Sequence, residues 1–115
     1  MIVGKDIDKP LEPQTKYGTT GTGLRVLVGK DEGAEVFTMR LITIEKGGQI
    51  GMHDHPWEHE IFVVKGKGRS ITEERSENVE PGMWVWIPPN EIHGFENTGD
   101  ETLEFICCIP NQKSS

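Results

Sequence analysis

Turn-forming residues break this chain at such short intervals that only brief extended segments fit between them. Glycine occurs 14 times and proline 7 times. Their clusters KGGQ, KGKG, EPG, PPN and NTGD carry turn chemistry, in which glycine supplies left-handed backbone and proline presets its own dihedral. Between the breaks lie runs rich in β-branched and aromatic residues, at 25–28, 36–44, 59–65, 69–73, 83–87 and 102–109, and these are predicted strands. No segment sustains a helical period. Short strands joined by glycine-rich turns predict an all-β barrel or sandwich. At 115 residues the chain is expected to form one domain, 1–115, with the weakly patterned residues 1–20 as an arm or edge strand.

Several of these strands are apolar on both faces. In 59–65, Ile61 and Val63 share one side while Phe62 and Val64 share the other. Trp84 and Trp86 likewise lie opposite Met83, Val85 and Ile87. A strand with water on one side alternates with polar residues, so the outer face is expected to be covered. A homodimer is predicted, with the N-terminal arm as the alternative cover. Trp84 and Trp86 are assigned to a dimer interface or outer core.

The formal net charge of −7 is spread along the chain and repels phosphate backbones, which argues against a nucleic-acid partner. No apolar run approaches the roughly 18 residues of a membrane span. The opening MIVGKDIDKPLEP has neither the basic start nor the apolar stretch of a signal peptide. Cys107 and Cys108 are neighbours on a strand and point to opposite faces, which suits reduced thiols better than a disulfide. A soluble cytoplasmic protein without a membrane partner is expected.

Of four histidines, three fall within the seven residues 53–59, in GMHDHPWEHEIFVVKG, and the fourth is in PPNEIHGFEN. Strand alternation puts His53 and His55 on one face. Pro56 and Trp57 turn the chain, and His59 opens the next strand on the same face as Ile61 and Val63. His93 supplies a fourth corner after the turn at Pro88-Pro89-Asn90. Imidazoles gathered inside a barrel each need a hydrogen-bond partner or repel one another when protonated, and a divalent cation satisfies them together.

Both stretches resemble the two motifs of small single-domain cupins. Gly47 is followed by five residues, His53-Asp54-His55, three residues, His59, six residues and Gly66, so the first motif covers 47–66. In the second, 82–97, Gly82, Pro88, His93 and Asn97 stand at the family's spacing. Asn90 replaces a glycine, which is mild because asparagine tolerates a left-handed turn. His59 occupies the usual glutamate slot; Glu60 and Glu58 are the weaker occupants, and parity turns Glu60 outward. The resemblance implies a double-stranded β-helix (jelly-roll) barrel. It also implies one divalent transition metal per chain held by His53, His55, His59 and His93. Manganese is the metal implied by the four-histidine subgroup that the chain resembles, whereas coordination chemistry alone also admits Fe, Ni, Zn or Cu.

Four neutral ligands leave the ion its full charge and, in an octahedral shell, two open positions. Ile50, Met52, Phe105 and Cys107 are the candidates for an apolar substrate pocket beside it, and Arg40 is a candidate anchor for a substrate carboxylate. Its position between Met39 and Leu41 slightly favours the outer face instead. Few other acids or bases are at hand, since Tyr17 is the one tyrosine and Glu58, Glu60 and Glu91 read as exterior. The chain is therefore expected to act on a small organic molecule through the metal, as a dioxygenase or related oxidoreductase. A non-catalytic module binding a sugar, carboxylate or metal, and a metal-dependent decarboxylase or isomerase, are the alternatives. No catalytic residue is assigned.

Overall fold

The computed structural model describes residues 1–111. Within them nine strands form one antiparallel sheet that curls on itself: β1 (Glu12–Gln14), β2 (Thr20–Val28), β3 (Phe37–His53), β4 (His59–Lys65), β5 (Gly68–Thr72), β6 (Ser76–Val79), β7 (Trp84–Ile87), β8 (His93–Asn97) and β9 (Leu103–Pro110). The helical content is three single turns, at Asp6–Asp8, Lys16–Gly18 and Lys30–Glu32. No helix among the described residues is long and apolar enough to cross a membrane. This is the all-β jelly roll expected from the sequence.

The long strand β3 organises the sheet. Its first half pairs with β2 on one edge and β9 on the other, while its end, Gln49–His53, pairs with β8. The remaining ladders run β9-β4-β7 on one side and β8-β5-β6 on the other. A strand serving both halves must bend, and Gly47, at φ +79, provides the left-handed residue for it. The KGGQ break expected from the sequence is thus a kink within one strand.

Side-chain alternation sends Ile42 and Ile44 of β3, Ile61 and Val63 of β4, and Leu103, Phe105 and Cys107 of β9 into one buried cluster with Leu24, Val79, Ile87 and Phe95. The opposite faces of β4 and β7 are open: Phe62 is 48 %, Trp86 54 % and Trp84 76 % exposed. Register sets Trp84 beside Phe62 and Phe62 beside Ile106, so the apolar strip crosses three strands. The arm does not cover it. Residues 12–14 form an edge strand on β2, and Leu11 lies over Gly23, where any Cβ would overlap it.

Cys107 and Cys108 are both free thiols, the first buried. Asn90 is left-handed at φ +68, and Gly82 at φ +92. Asn97 clamps the neighbouring turn, donating to the carbonyls of Ile44 and Glu101 at 2.9 and 2.8 Å and accepting from Gly99 N–H.

Candidate metal centre

β3 ends at His53, β4 begins at His59 and β8 begins at His93, and His53 and His93 are directly paired in register. Three strand ends therefore meet at one rim of the barrel, with His55 on the loop between β3 and β4. His53, His55 and His93 each place a ring nitrogen within 4.8 Å of the others. His59 falls outside this three-way group; it points inward, is 7 % exposed, and brings its Nε2 to 2.6 Å from His55 Nε2. Ring centroids lie 4.2 Å apart for His55–His59 and 5.3 Å for His59–His93.

The Nδ1 partners determine which nitrogen of each ring is free. His53 Nδ1 faces the Gly51 carbonyl at 2.7 Å, His55 Nδ1 that of Trp57 at 3.3 Å, and His93 Nδ1 that of Glu91 at 2.8 Å. A carbonyl only accepts, so each Nδ1 carries the proton and each Nε2 keeps its lone pair. His59 Nδ1 faces Cys107 Sγ at 2.8 Å. Donation to that sulfur leaves two Nε2 lone pairs, on His55 and His59, facing each other at 2.6 Å. Such a pair is repulsive unless a cation or a proton lies between them. Burial opposes a charging proton, so what lies between them is a cation or, in the other neutral tautomer of His59, its own Nε2–H donated to His55. Burial first, then the charges of His55, Arg40, His93 and His53, pushes His59 down to about 2. Burial likewise lowers His93 to about 4, against the Glu91 carbonyl, which raises it. His55 is lowered too, again first by burial. The donor set fits a divalent ion bound through imidazole Nε2.

The cavity over these rings has a volume of about 280 Å³ and opens to solvent. Ile50, Phe105, Cys107 and Arg40, all named from the sequence, line it. Met52 does not. It is 41 % exposed, because a bulge between Ile50 and His53 lets both of those face inward and turns Met52 out. Arg40 is also placed differently from the slightly favoured outer-face reading. It pairs with Cys107 in register and shares the inner face with Ile42 and Ile44. Its Nη2 donates to Cys107 Sγ at 3.0 Å and lies 3.5 Å from His59 Nδ1. Burial raises the Cys107 thiol, with Arg40 pulling in the opposite direction.

Sequence reasoning missed the wall supplied by residues 14–19. Tyr17 stacks on His53 with centroids 4.9 Å apart and planes 5° apart. The chain reaches this position through two successive left-handed residues, Tyr17 (φ 61) and Gly18 (φ 77). Their backbone lies directly on Gly51, where a Cβ would overlap the Tyr17 carbonyl. Thr19 Oγ1 accepts from Gly51 N–H at 3.1 Å. Trp57, read from sequence as part of a turn, stacks on His55 at 4.6 Å. Its place two residues from His55 was the available signal; for Tyr17 there was none beyond the glycine that follows it.

Residues 40–109 match the family model of the cupin domain. The chain belongs to the cupin family. This cupin is 27 % identical to 1-methylthio-D-xylulose 5-phosphate methylsulfurylase of Rhodospirillum rubrum, over 89 % of the chain and 75 % of that relative. Among solved structures, the polyketide cyclase RemF of Streptomyces resistomycificus superposes with a TM-score of 0.91 at 29 % identity, covering 100 % of this cupin and 82 % of RemF. A predicted oxalate decarboxylase of Thermotoga maritima gives a TM-score of 0.83 at 23 % identity over 96 % of this chain and 100 % of its own, a likeness of fold.

Proposed function

We propose that this cupin is a metal-dependent enzyme in which His53, His55, His59 and His93 hold one divalent transition metal, manganese foremost, beside a cavity for a small organic substrate. The supporting observation is the grouping of His53, His55 and His93 on an open cavity, with His59 Nε2 2.6 Å from His55 Nε2. When bound, such an ion supplies Lewis acidity and open coordination positions. The chain's own residues do the rest. The Gly51, Trp57 and Glu91 carbonyls and Cys107 Sγ hold the four rings by Nδ1. Tyr17 and Trp57 sandwich the outer rings, and Phe105 and Ile50 keep the inner wall apolar.

Oxidation of the substrate by dioxygen is the reaction class proposed first, because the cavity wall offers little acid/base chemistry. Asp54 is its one carboxylate and Tyr17 its one phenol. Redox-neutral conversion, as in a cyclase, lyase or isomerase, is the second reading, favoured by the full-length similarity to a polyketide cyclase. The apolar strip of Phe62, Trp84 and Ile106 is proposed to pair with a second copy of the chain.

Elemental analysis of untagged protein, followed by dioxygen uptake and product analysis on small carboxylates and phenols, tests this reading. One metal per chain is expected, with turnover that vanishes in His59→Ala and His93→Ala. Stoichiometric metal without turnover of any substrate would leave a binding module, and absence of metal would refute the proposal.

A further inference from the structure

A guanidinium without a carboxylate partner sits inside this barrel. Arg40 lines the cavity and forms no ion pair among the described residues. Its Nη2 donates to the Cys107 sulfur, and its Nε, sealed from water, has no hydrogen-bond acceptor. Trp57 Nε1, on the same cavity, is likewise buried and unsatisfied. A half-buried charge without a counter-ion and orphaned donors are costly, and natural interiors keep few of them. Both orphans are donors, so what this wall lacks is acceptors.

The local charge points the same way. The chain carries −7 overall, yet the cavity wall has two cationic side chains, Arg40 and Lys16, against the single carboxylate of Asp54. Four neutral histidines neutralise none of the charge of a bound cation. The volume of about 280 Å³ lies at the small end of ligand pockets. A guanidinium carries several N–H donors in one plane, an array that matches a carboxylate.

We propose that the cavity selects small organic carboxylates, with Arg40 as the binding residue for the carboxylate group. This deepens the reading above, and rests on it, by naming the substrate class. The test uses benzoate and its neutral isostere benzamide as probes, titrated calorimetrically into manganese-loaded and metal-free protein. Wild type is expected to bind benzoate at least about tenfold more tightly than benzamide, the scale of a charged hydrogen bond. Arg40→Gln is expected to bring the two probes within about threefold, and Arg40→Lys to retain part of the preference. Metal content and thermal melting of each variant report whether the centre and the fold persist.

Equal binding of the two probes by wild type would overturn the proposal, and that comparison needs no variant. So would failure of benzoate to bind at millimolar concentration, or an undiminished preference in a folded Arg40→Gln. The two levels fail separately. A carboxylate preference in protein that never takes up metal would sink the metal centre alone; stoichiometric metal without the preference would sink the role of Arg40 alone.

Discussion

Acidification of the metal-free protein should expose the buried histidines through stability. An unfolded histidine titrates near 6.5, whereas folded His93 is held down to about 4 and folded His59 to about 2. Above pH 6.5 both folded and unfolded chains keep these rings neutral, and the contribution to stability is fully present. As pH falls below 6.5 the unfolded chain takes up protons that the folded chain refuses, so folding is progressively disfavoured until each folded pKa is passed. One such proton is worth about 1.4 kcal/mol per pH unit. The gap for His93, from 6.5 to about 4, would give at most ~3.4 kcal/mol; water entering through the open cavity mouth reduces this to roughly 1–2 kcal/mol. His59 acts in the same direction, so metal-free wild type should lose about 2–4 kcal/mol between pH 7 and 4.5. The net charge of −7 shrinks over the same range towards the isoelectric point near 5.0, which relieves repulsion but does so almost equally in any variant. Comparison with His93→Gln therefore isolates the ring. Urea unfolding in the presence of a chelator, followed by tryptophan fluorescence, should show the variant losing about 1–2 kcal/mol less than wild type across that range. Equal losses would refute the assignment of His93 as a buried neutral imidazole.

Other perturbations test separate parts of the structure. Cys107→Val removes the acceptor for His59 Nδ1 and should weaken metal binding about 10–100-fold, while Cys107→Ser keeps an acceptor and should retain most of the affinity in competitive chelator titrations. Metal should be held down to about pH 4 and released as pH drops below it, where His93 and then His59 take up protons and protonated rings cannot ligate, read by dialysis and elemental analysis; complete release already at about pH 6 would contradict ligation by these buried rings. Gly51→Ala must displace the backbone at Tyr17–Gly18, with an expected loss of about 1–3 kcal/mol and faster tryptic cleavage after Lys16. Trp84→Glu places a charge in the apolar strip of β4, β7 and β9 and should convert a sedimenting dimer into a monomer. A monomeric wild type would refute the pairing.

The inward set of β4 could be read directly, because strict alternation in HEIFVVK leaves one choice of face once His59 is interior. Asn90 could be read for a similar reason: the motif called for a left-handed residue, and asparagine is among the few that adopt it. Met52 was placed wrongly because the bulge that reverses its parity is set by pairing with β8, a non-local contact. Arg40 was misjudged on a bias that generally holds, that charges avoid interiors. Here the inner face of β3 carries the guanidinium to a cavity instead of a packed core. Strand β8 escaped notice because HGFEN has little strand propensity and is held by neighbours on both sides, β3 and β5. Tyr17 joined the site through backbone contact with Gly51, which leaves no periodic trace in the sequence.

The central claim is that every imidazole of the molecule binds one cation. X-ray absorption fine structure of the metal-loaded protein measures this most directly, because imidazole nitrogen at about 2.0–2.2 Å and sulfur at about 2.3 Å scatter differently. Four imidazole ligands and no sulfur are expected, with the signal falling to three in His59→Ala. Three imidazoles in wild type, or a sulfur contribution from Cys107, would contradict it.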